Sequence, residues 1–240
     1  MGKIEKLQEN INNSKYIVAL TGAGISTAAG IADFRGEKGI YTRGVYDPYK
    51  TFNLDYFKKD PSFFFKFAKE YVDVYKHTKP TNAHYFLSAL EKKGNLKAII
   101  TQNIDRLHQL AGSKNVIELH GSFERGYCLR CGRTYDFKWM MENLGKNGEL
   151  KCICGGIVKP DIVFFGEPVK EMDKAEEYAR KADLFLVIGS SLSVQPAGLL
   201  PYITSGKVVI INKGEVEFPE DKVYLRIDDD IEKTVESLKW

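Results

Sequence analysis

The chain has 240 residues, 43% hydrophobic and 28% charged. That is enough for a core burying roughly 70–75% of the unfolded surface, so neither disulfide nor metal is needed to hold it. Lys plus Arg total 35 against 32 Asp plus Glu, a formal net charge of +3, too small and too evenly spread for direct nucleic-acid binding. No apolar run approaches the roughly 20 residues of a membrane helix. The opening Met1-Gly2-Lys3-Ile4-Glu5-Lys6 has no apolar signal core, and Lys6 stands where a myristoylation signal wants Ser or Thr. The expectation is a cytoplasmic protein.

In chain order, periodicity predicts a helix over residues 3–13 and a buried strand from Tyr16 to Leu20 that runs into Thr21-Gly22-Ala23-Gly24-Ile25-Ser26. Residues 36–60, rich in Gly, Tyr, Lys and Asp, read as a flexible loop. Asp60-Pro61 opens a helix over 61–76, with Asp60 as its N-cap, and a helix over 82–93 is stopped by Gly94. A strand from Leu96 to Ile100, a short helix over 103–110 and a strand from Val116 to Leu119 follow. Ile162 to Phe165 is apolar and β-rich, 171–181 is helical, Leu184–Ile188 and Val208–Ile211 are strands, and 230–238 is a closing helix. Unbroken apolar strands between helices indicate a parallel sheet covered on both faces, a doubly wound Rossmann-like α/β fold. Residues 36–80 and 125–158 fit this pattern poorly. The expected organisation is an α/β domain over 1–35, 81–124 and 159–240, with a loop-and-helix module at 36–80 and a cysteine module at 125–158.

The cysteines are Cys128, Cys131, Cys152 and Cys154, within 27 residues and with none elsewhere. In a reducing compartment this clustering reads as metal before disulfide. Cys-Leu-Arg-Cys-Gly is a two-thiolate knuckle, whereas Cys152-Ile153-Cys154 has one intervening residue instead of two, with Gly155-Gly156 to complete the turn. Four thiolates close a tetrahedral shell, so the reading is structural Zn(II), not a catalytic metal.

The glycine turn after the first strand offers backbone N–H groups to a phosphate, with Gly22 and Gly24 permitting close approach. The full dehydrogenase fingerprint is absent: Thr27 occupies the third glycine position, and Ala32-Asp33-Phe34-Arg35-Gly36 is no second strand with an acidic ribose clamp. The turn is compatible with a dinucleotide but disfavours hydride transfer. Three other strands end in polar groups: Thr101-Gln102-Asn103-Ile104-Asp105, His120-Gly121 and Gly189-Ser190-Ser191. Each alone has a bland explanation as a cap or a structural histidine. Their shared address at the carboxyl edge of a parallel sheet points to a ligand site.

TGAGIS, DFRG, TQNID, HG, the four-cysteine module, PDIVFFGE, GSSLSVQP and IINKG, in this order and over nearly the whole chain, resemble the sirtuin family, in its bacterial and archaeal core-only form. Ala32 replaces the proline usual there, which removes a rigid φ but no reacting group. The resemblance implies a monomeric NAD-consuming lysine deacylase. Gly22, Ala23, Gly24, Thr27, Gly189, Ser190 and Ser191 would hold phosphates and ribose; Asn212, Asp230 and Ile231 the adenosine end. Asp33, Phe34 and Arg35 would belong to a loop closing over the cofactor. Gln102, Asn103, Ile104 and Asp105 would form the nicotinamide pocket, with Asn103 also counted as catalytic. The acyl oxygen would displace nicotinamide at the ribose C1′, with His120 as general base on a ribose hydroxyl. An ordinary histidine pKa near 6.5 suits that task. Water would then give free lysine and O-acyl-ADP-ribose.

The resemblance also implies that Val163, Phe164, Phe165 and Gly166, with Leu192 and Val194, form two edges between which the acyl-lysine peptide lies as an added strand. Family members that prefer succinyl or malonyl groups carry a Tyr and an Arg at positions aligned with Ala68 and Tyr71. With no cation there, neutral acyl groups are expected: acetyl first, then longer chains given the small Ala68. ADP-ribosyl transfer to protein and long-chain deacylation are the alternatives that the same site allows.

Overall fold

The computed structural model describes residues 2–33, 39, 44–147 and 149–240. In chain order the elements are α1 (Lys3–Asn13), β1 (Ile17–Thr21), α2 (Pro48–Phe52), α3 (Leu54–Lys59), α4 (Ser62–Tyr75), α5 (Asn82–Lys92), β2 (Leu96–Thr101), α6 (Leu107–Leu110) and β3 (Val116–Glu118). Then come β4 (Gly121–Cys128), β5 (Thr134–Asp136), α7 (Phe137–Asn147), β6 (Val158–Ile162), α8 (Met172–Lys181), β7 (Leu184–Ile188), β8 (Lys207–Ile211), β9 (Leu225–Ile227) and α9 (Ile231–Glu236). Short 3₁₀ segments lie at Ala23–Ala29, Ala197–Tyr202 and Glu220–Lys222. No helix among the described residues is long and apolar enough to cross a membrane.

The described residues divide into two compact units. Those within Met1–Gly30, Lys79–Leu119 and Glu171–Trp240 form one, and those within Ile31–Thr78 and His120–Lys170 the other. The first carries a six-stranded sheet in the order β3-β2-β1-β7-β8-β9, paired in parallel throughout. β1 (IVALT) and β7 (LFLVI) are buried at every position, as strands covered on both faces must be. One face packs Leu7, Ile11, Phe86, Leu87 and Leu90 from the helices onto Ile17, Ile99 and Leu186; the other packs Ala175 and Ala179 of α8 with Leu200 onto Val18, Ile100 and Phe185.

The second unit has a three-stranded antiparallel sheet, β5-β4-β6, and a phenylalanine core. Phe64 of α4 lies 5.5 Å from Phe57, 4.9 Å from Phe164 and 6.3 Å from Phe123, centroid to centroid.

Four local expectations are corrected. The described part of 36–60 contains helices, not only loop: Asp47 caps α2 by accepting from Lys50 N–H (3.0 Å), and Asn53 caps α3 by accepting from Tyr56 N–H (3.0 Å). Helix α4 starts at Ser62, so Pro61 is its cap residue and Asp60 instead binds Ser62 N–H (3.1 Å) and Oγ (2.6 Å). The 103–110 helix shrinks to Leu107–Leu110, because Arg106 adopts left-handed φ 58 and Asp105 folds back onto Leu107 N–H (3.0 Å). The strand expected at Ile162–Phe165 lies at Val158–Ile162, where pairing with β4 overrides the charges of Lys159 and Asp161 and the proline between them.

Candidate active site

In the first unit the chain order reverses between β1 and β7, with β2 and β3 beyond β1, and β8 and β9 beyond β7. The carboxyl ends of strands at such a switch point are where open α/β sheets bind ligands. Here these ends carry two glycine turns locked to each other: Gly22 N–H donates to Ile188 O (3.2 Å) and Gly24 N–H to Gly189 O (2.9 Å). A Cβ on Gly22 would sit 2.7 Å from Gly189 O, and one on Gly24 2.8 Å from Gly189 Cα. Gly189 has φ +64, and a Cβ there would collide with Ile25 N. These glycines thus serve the approach of one turn to the other. The rim they leave is Ala23 and Gly24, half-buried, and Thr27, exposed.

Ser190 donates through Oγ to Gln102 Oε1 (2.8 Å) and accepts from Leu192 N–H (3.2 Å), tying the end of β7 to the end of β2. Ser191 and Ser193 share a hydrogen bond of 2.8 Å. Asn103 and Asp105 are buried at 8% and 3% exposure. Asp105 accepts from Ser26 Oγ at 2.6 Å and from Leu107 N–H at 3.0 Å. Asn103 donates through Nδ2 to Gly22 O and Ser26 Oγ, both at 3.2 Å. Burial pushes the Asp105 carboxyl above its ordinary value, and the donors from Ser26, Leu107 and Asn103 oppose that rise. A fixed buried carboxylate and amide beside hydroxyls and glycine turns suit a dinucleotide: directional partners for a carboxamide, and short polar groups for phosphates and ribose.

This pocket has a buried support that sequence reasoning missed. Asn103 N–H donates to Thr101 Oγ1 (3.1 Å), which accepts from Thr21 Oγ1 (2.9 Å). Thr21 Oγ1 meets His108 Nε2 at 2.9 Å, and the His108 ring lies 4.7 Å from that of His84. His84 Nδ1 is 2.8 Å from Thr81 Oγ1 and accepts from Thr81 N–H (3.2 Å). With Nδ1 as acceptor, the His84 proton sits on Nε2. Buried threonines and histidines near a polar strand end are the sequence signal that was available.

The remaining expected cofactor residues are more dispersed. Asn212 follows β8, and its Nδ2 donates to Lys213 O (3.2 Å). Asp230 caps α9 by accepting from Lys233 N–H (3.0 Å), and Ile231 packs against the core. Ile104 and Asp33 are half-buried. Phe34 and Arg35 lie outside the described residues. Leu192 is a core residue at 1% exposure with φ 58, whereas Val194 is half-buried.

His120 follows β3 and opens the second unit, half-buried, its carbonyl accepting from Val163 N–H (2.9 Å). Gly121 beside it has φ +69, and a Cβ there would collide with Asp161 O. Of the expected peptide edge, Phe164 is core at 1% exposure, while Phe165 is 48% exposed. Phe165 N–H donates to Phe52 O (2.7 Å) and its carbonyl accepts from Leu54 N–H (3.2 Å), so its backbone is already paired within the unit. Val163 is half-buried and Gly166 exposed.

The four cysteine sulfurs lie within 4.8 Å of one another, with Cys128–Cys154 and Cys131–Cys152 at 3.6 Å. Zn–S bonds of about 2.3 Å place tetrahedral sulfurs about 3.8 Å apart, so the set fits zinc. The shortened second pair closes because Gly155, at φ +80, donates to Cys152 O (2.8 Å). Gly156 is needed as well: a Cβ there would stand 2.7 Å from Cys128 Sγ. Outer donors are Tyr135 Oη to Cys152 Sγ (3.0 Å) and Arg130 N–H to Cys128 Sγ (3.4 Å), the kind of second shell that orients metal ligands.

The Sir2 family model matches residues 22–196. An NAD-dependent protein deacetylase of Sulfurisphaera tokodaii is 48% identical over 215 residues, 88% of this chain and 85% of that protein. One of Thermotoga maritima is 45% identical over 224 residues, 91% and 90% of the two chains. A solved Sir2 structure, described with a deacetylated p53 peptide and 3′-O-acetyl-ADP-ribose, matches at TM-score 0.92 and 42% identity, covering 98% of this chain and 97% of its own. With its family model running from the first glycine turn to the segment after β7, and with relatives at this identity and coverage, the chain belongs to the Sir2 family.

Proposed function

We propose that the protein is an NAD-dependent protein-lysine deacetylase with a structural zinc. The observation that carries this reading is the buried Asn103–Ser26–Asp105 cluster at the sheet's switch point, in a chain nearly half identical to proteins named for that activity. NAD, when bound, supplies an electrophilic ribose carbon with nicotinamide as leaving group. Asp105 and Asn103 hold the carboxamide in one orientation, since Ser26, Leu107 N–H and Gly22 O leave neither side chain free to turn. Ser190 and Ser191, with the Ala23–Thr27 rim, take the phosphates and adjoining ribose; Asn212 and the Asp230-Ile231 segment take the adenosine. His120 accepts a ribose hydroxyl proton on its ring. The Val163–Gly166 and Leu192–Val194 segments take acyl-lysine peptides through backbone groups other than those of Phe165 and with little sequence preference.

Neutral acyl groups are preferred, acetyl above all. Ala68 is fully buried on α4, and Tyr71 is taken up against Phe67 and Phe123 (5.6 and 5.4 Å between centroids), so neither position offers a cation to a distal carboxylate. On this reading the enzyme is a cytoplasmic monomer whose zinc stays outside the chemistry. The test is an acetyl-lysine peptide incubated with and without NAD and followed by mass spectrometry, with His120→Ala alongside. NAD-dependent loss of acetyl, with matching nicotinamide and O-acetyl-ADP-ribose and none in the variant, supports the reading. ADP-ribose retained on protein in place of these products replaces it with ADP-ribosyl transfer, and no consumption of NAD refutes both.

A further inference from the structure

Lys159 is 1% exposed, a fully buried lysine at the second position of β6. Its Nζ lies 2.8 Å from Glu167 Oε2, 2.5 Å from Ile162 O and 3.4 Å from Pro160 O, which uses its three donors. The ammonium also sits 4.2 Å from the centroid of the Phe164 ring. Glu167 Oε2 accepts a second bond, from Phe164 N–H at 2.8 Å, and Glu167 N–H returns to Phe164 O at 3.0 Å. Residues 164–167 are thus a closed four-residue turn, with Gly166 at φ +97 in the third position, as a type II turn demands.

One cation therefore grips a carbonyl before the turn and the carboxylate at its end. A well-packed apolar side chain would stabilise the fold as well as or better than a buried ion pair, so stability alone does not call for the charge. What an apolar residue cannot do is fix Ile162 O and Glu167 together.

We propose that Lys159 is a positioning residue for the acyl-lysine peptide: through Glu167 it sets the backbone of 163–166, the edge on which the peptide pairs. The inference rests on the deacetylase reading for the identity of the peptide, and the two are tested separately. NAD-dependent turnover by the wild type tests that reading. This inference is tested by the binding of a fluorescent acetyl-lysine peptide, read by polarisation on the zinc-loaded full chain, together with kcat and peptide KM.

Lys159→Met weakens peptide binding and raises peptide KM by about tenfold, as misplacement of a substrate-holding segment does. Saturating kcat stays within about twofold of wild type and so does binding of NAD alone, a split that general loss of structure does not produce. Lys159→Arg restores peptide affinity, because a guanidinium can bridge the same carboxylate and carbonyl. If Lys159→Met leaves the half-buried Glu167 carboxylate without its cation and fails to fold, Lys159→Met/Glu167→Gln removes both charges and shows the same peptide-specific loss. Unchanged peptide affinity in either folded variant overturns the proposal, as does wild type that binds no peptide or a loss in kcat and NAD binding equal to that in peptide affinity.

Discussion

The buried histidine pair in the first unit makes stability depend on pH in a calculable way. His84 and His108 are 0% and 1% exposed. Burial pushes His84 down to about 3, and burial together with neighbouring His84 holds His108 well below the ordinary range. On acidification the unfolded chain therefore takes up protons at these positions first, near an ordinary pKa of about 6.5. Stability is full above that value and falls as pH drops below it, toward the folded values. Between pH 7.5 and 5.5 each histidine costs about 1.4 kcal/mol, about 2.7 kcal/mol for the pair. At roughly 2–4 °C per kcal/mol for a chain of this size, that lowers Tm by roughly 5–11 °C. The assay is urea unfolding of zinc-loaded protein at the two pH values, for wild type and for His108→Gln. Whatever the substitution costs outright, the difference between pH values should shrink by about 1.4 kcal/mol in the variant. A difference that does not shrink would mean that His108 is protonated in the fold, and the direction of the network behind Asn103 would have to be redrawn.

Ser26→Ala removes the 2.6 Å donor to Asp105 and one of the two acceptors of Asn103 Nδ2; it should cost about 1–3 kcal/mol in urea unfolding and raise KM for NAD more than KM for peptide. Gly189→Ala must bring a Cβ into Ile25 N at positive φ, so its Tm should fall by more than that of Gly214→Ala, where the same backbone strain meets no neighbour within 4 Å. Thiol-reactive release in denaturant should liberate about one zinc per chain from wild type and none from Cys131→Ser, and zinc removal should broaden the signals of β4 to β6 in a heteronuclear spectrum. A succinyl-lysine peptide should turn over at least about tenfold more slowly than the acetyl peptide; equal rates would show that a cation reaches the acyl end after all.

The central strands were legible because burial on both faces leaves an unmistakable pattern: five apolar residues in β7, and a Thr closing four in β1. The second unit was harder to read. β4 carries Glu124, Arg125 and Gly126, which resemble a loop, but a Cβ on Gly126 would stand 2.9 Å from the backbone oxygen of Lys159. β6 contains Lys159, whose charge is met by Glu167 beyond the strand while its other donors go to Pro160 O and Ile162 O within it. Helices α2 and α3 are of five and six residues, too short to show a period, though Asp47 and Asn53 mark their starts. At the site, motif residues such as Asn103 and Asp105 stood out. Their supports did not, because Ser26 and Asp105 are 79 positions apart and Thr21 and His108 are 87. Only the parallel pairing of β1 with β2 brings such pairs together.

The bridge between Asn53 and Phe165 carries a consequence for how such enzymes diverge. Phe165 borrows both of its backbone partners from the junction of α2 and α3, a stretch that holds no reacting group. With Phe165 on the proposed peptide edge, substitutions there would retune which proteins are recognised while the residues assigned to NAD stay the same. On that reading, selectivity would drift in a supporting segment without passing through an inactive ancestor.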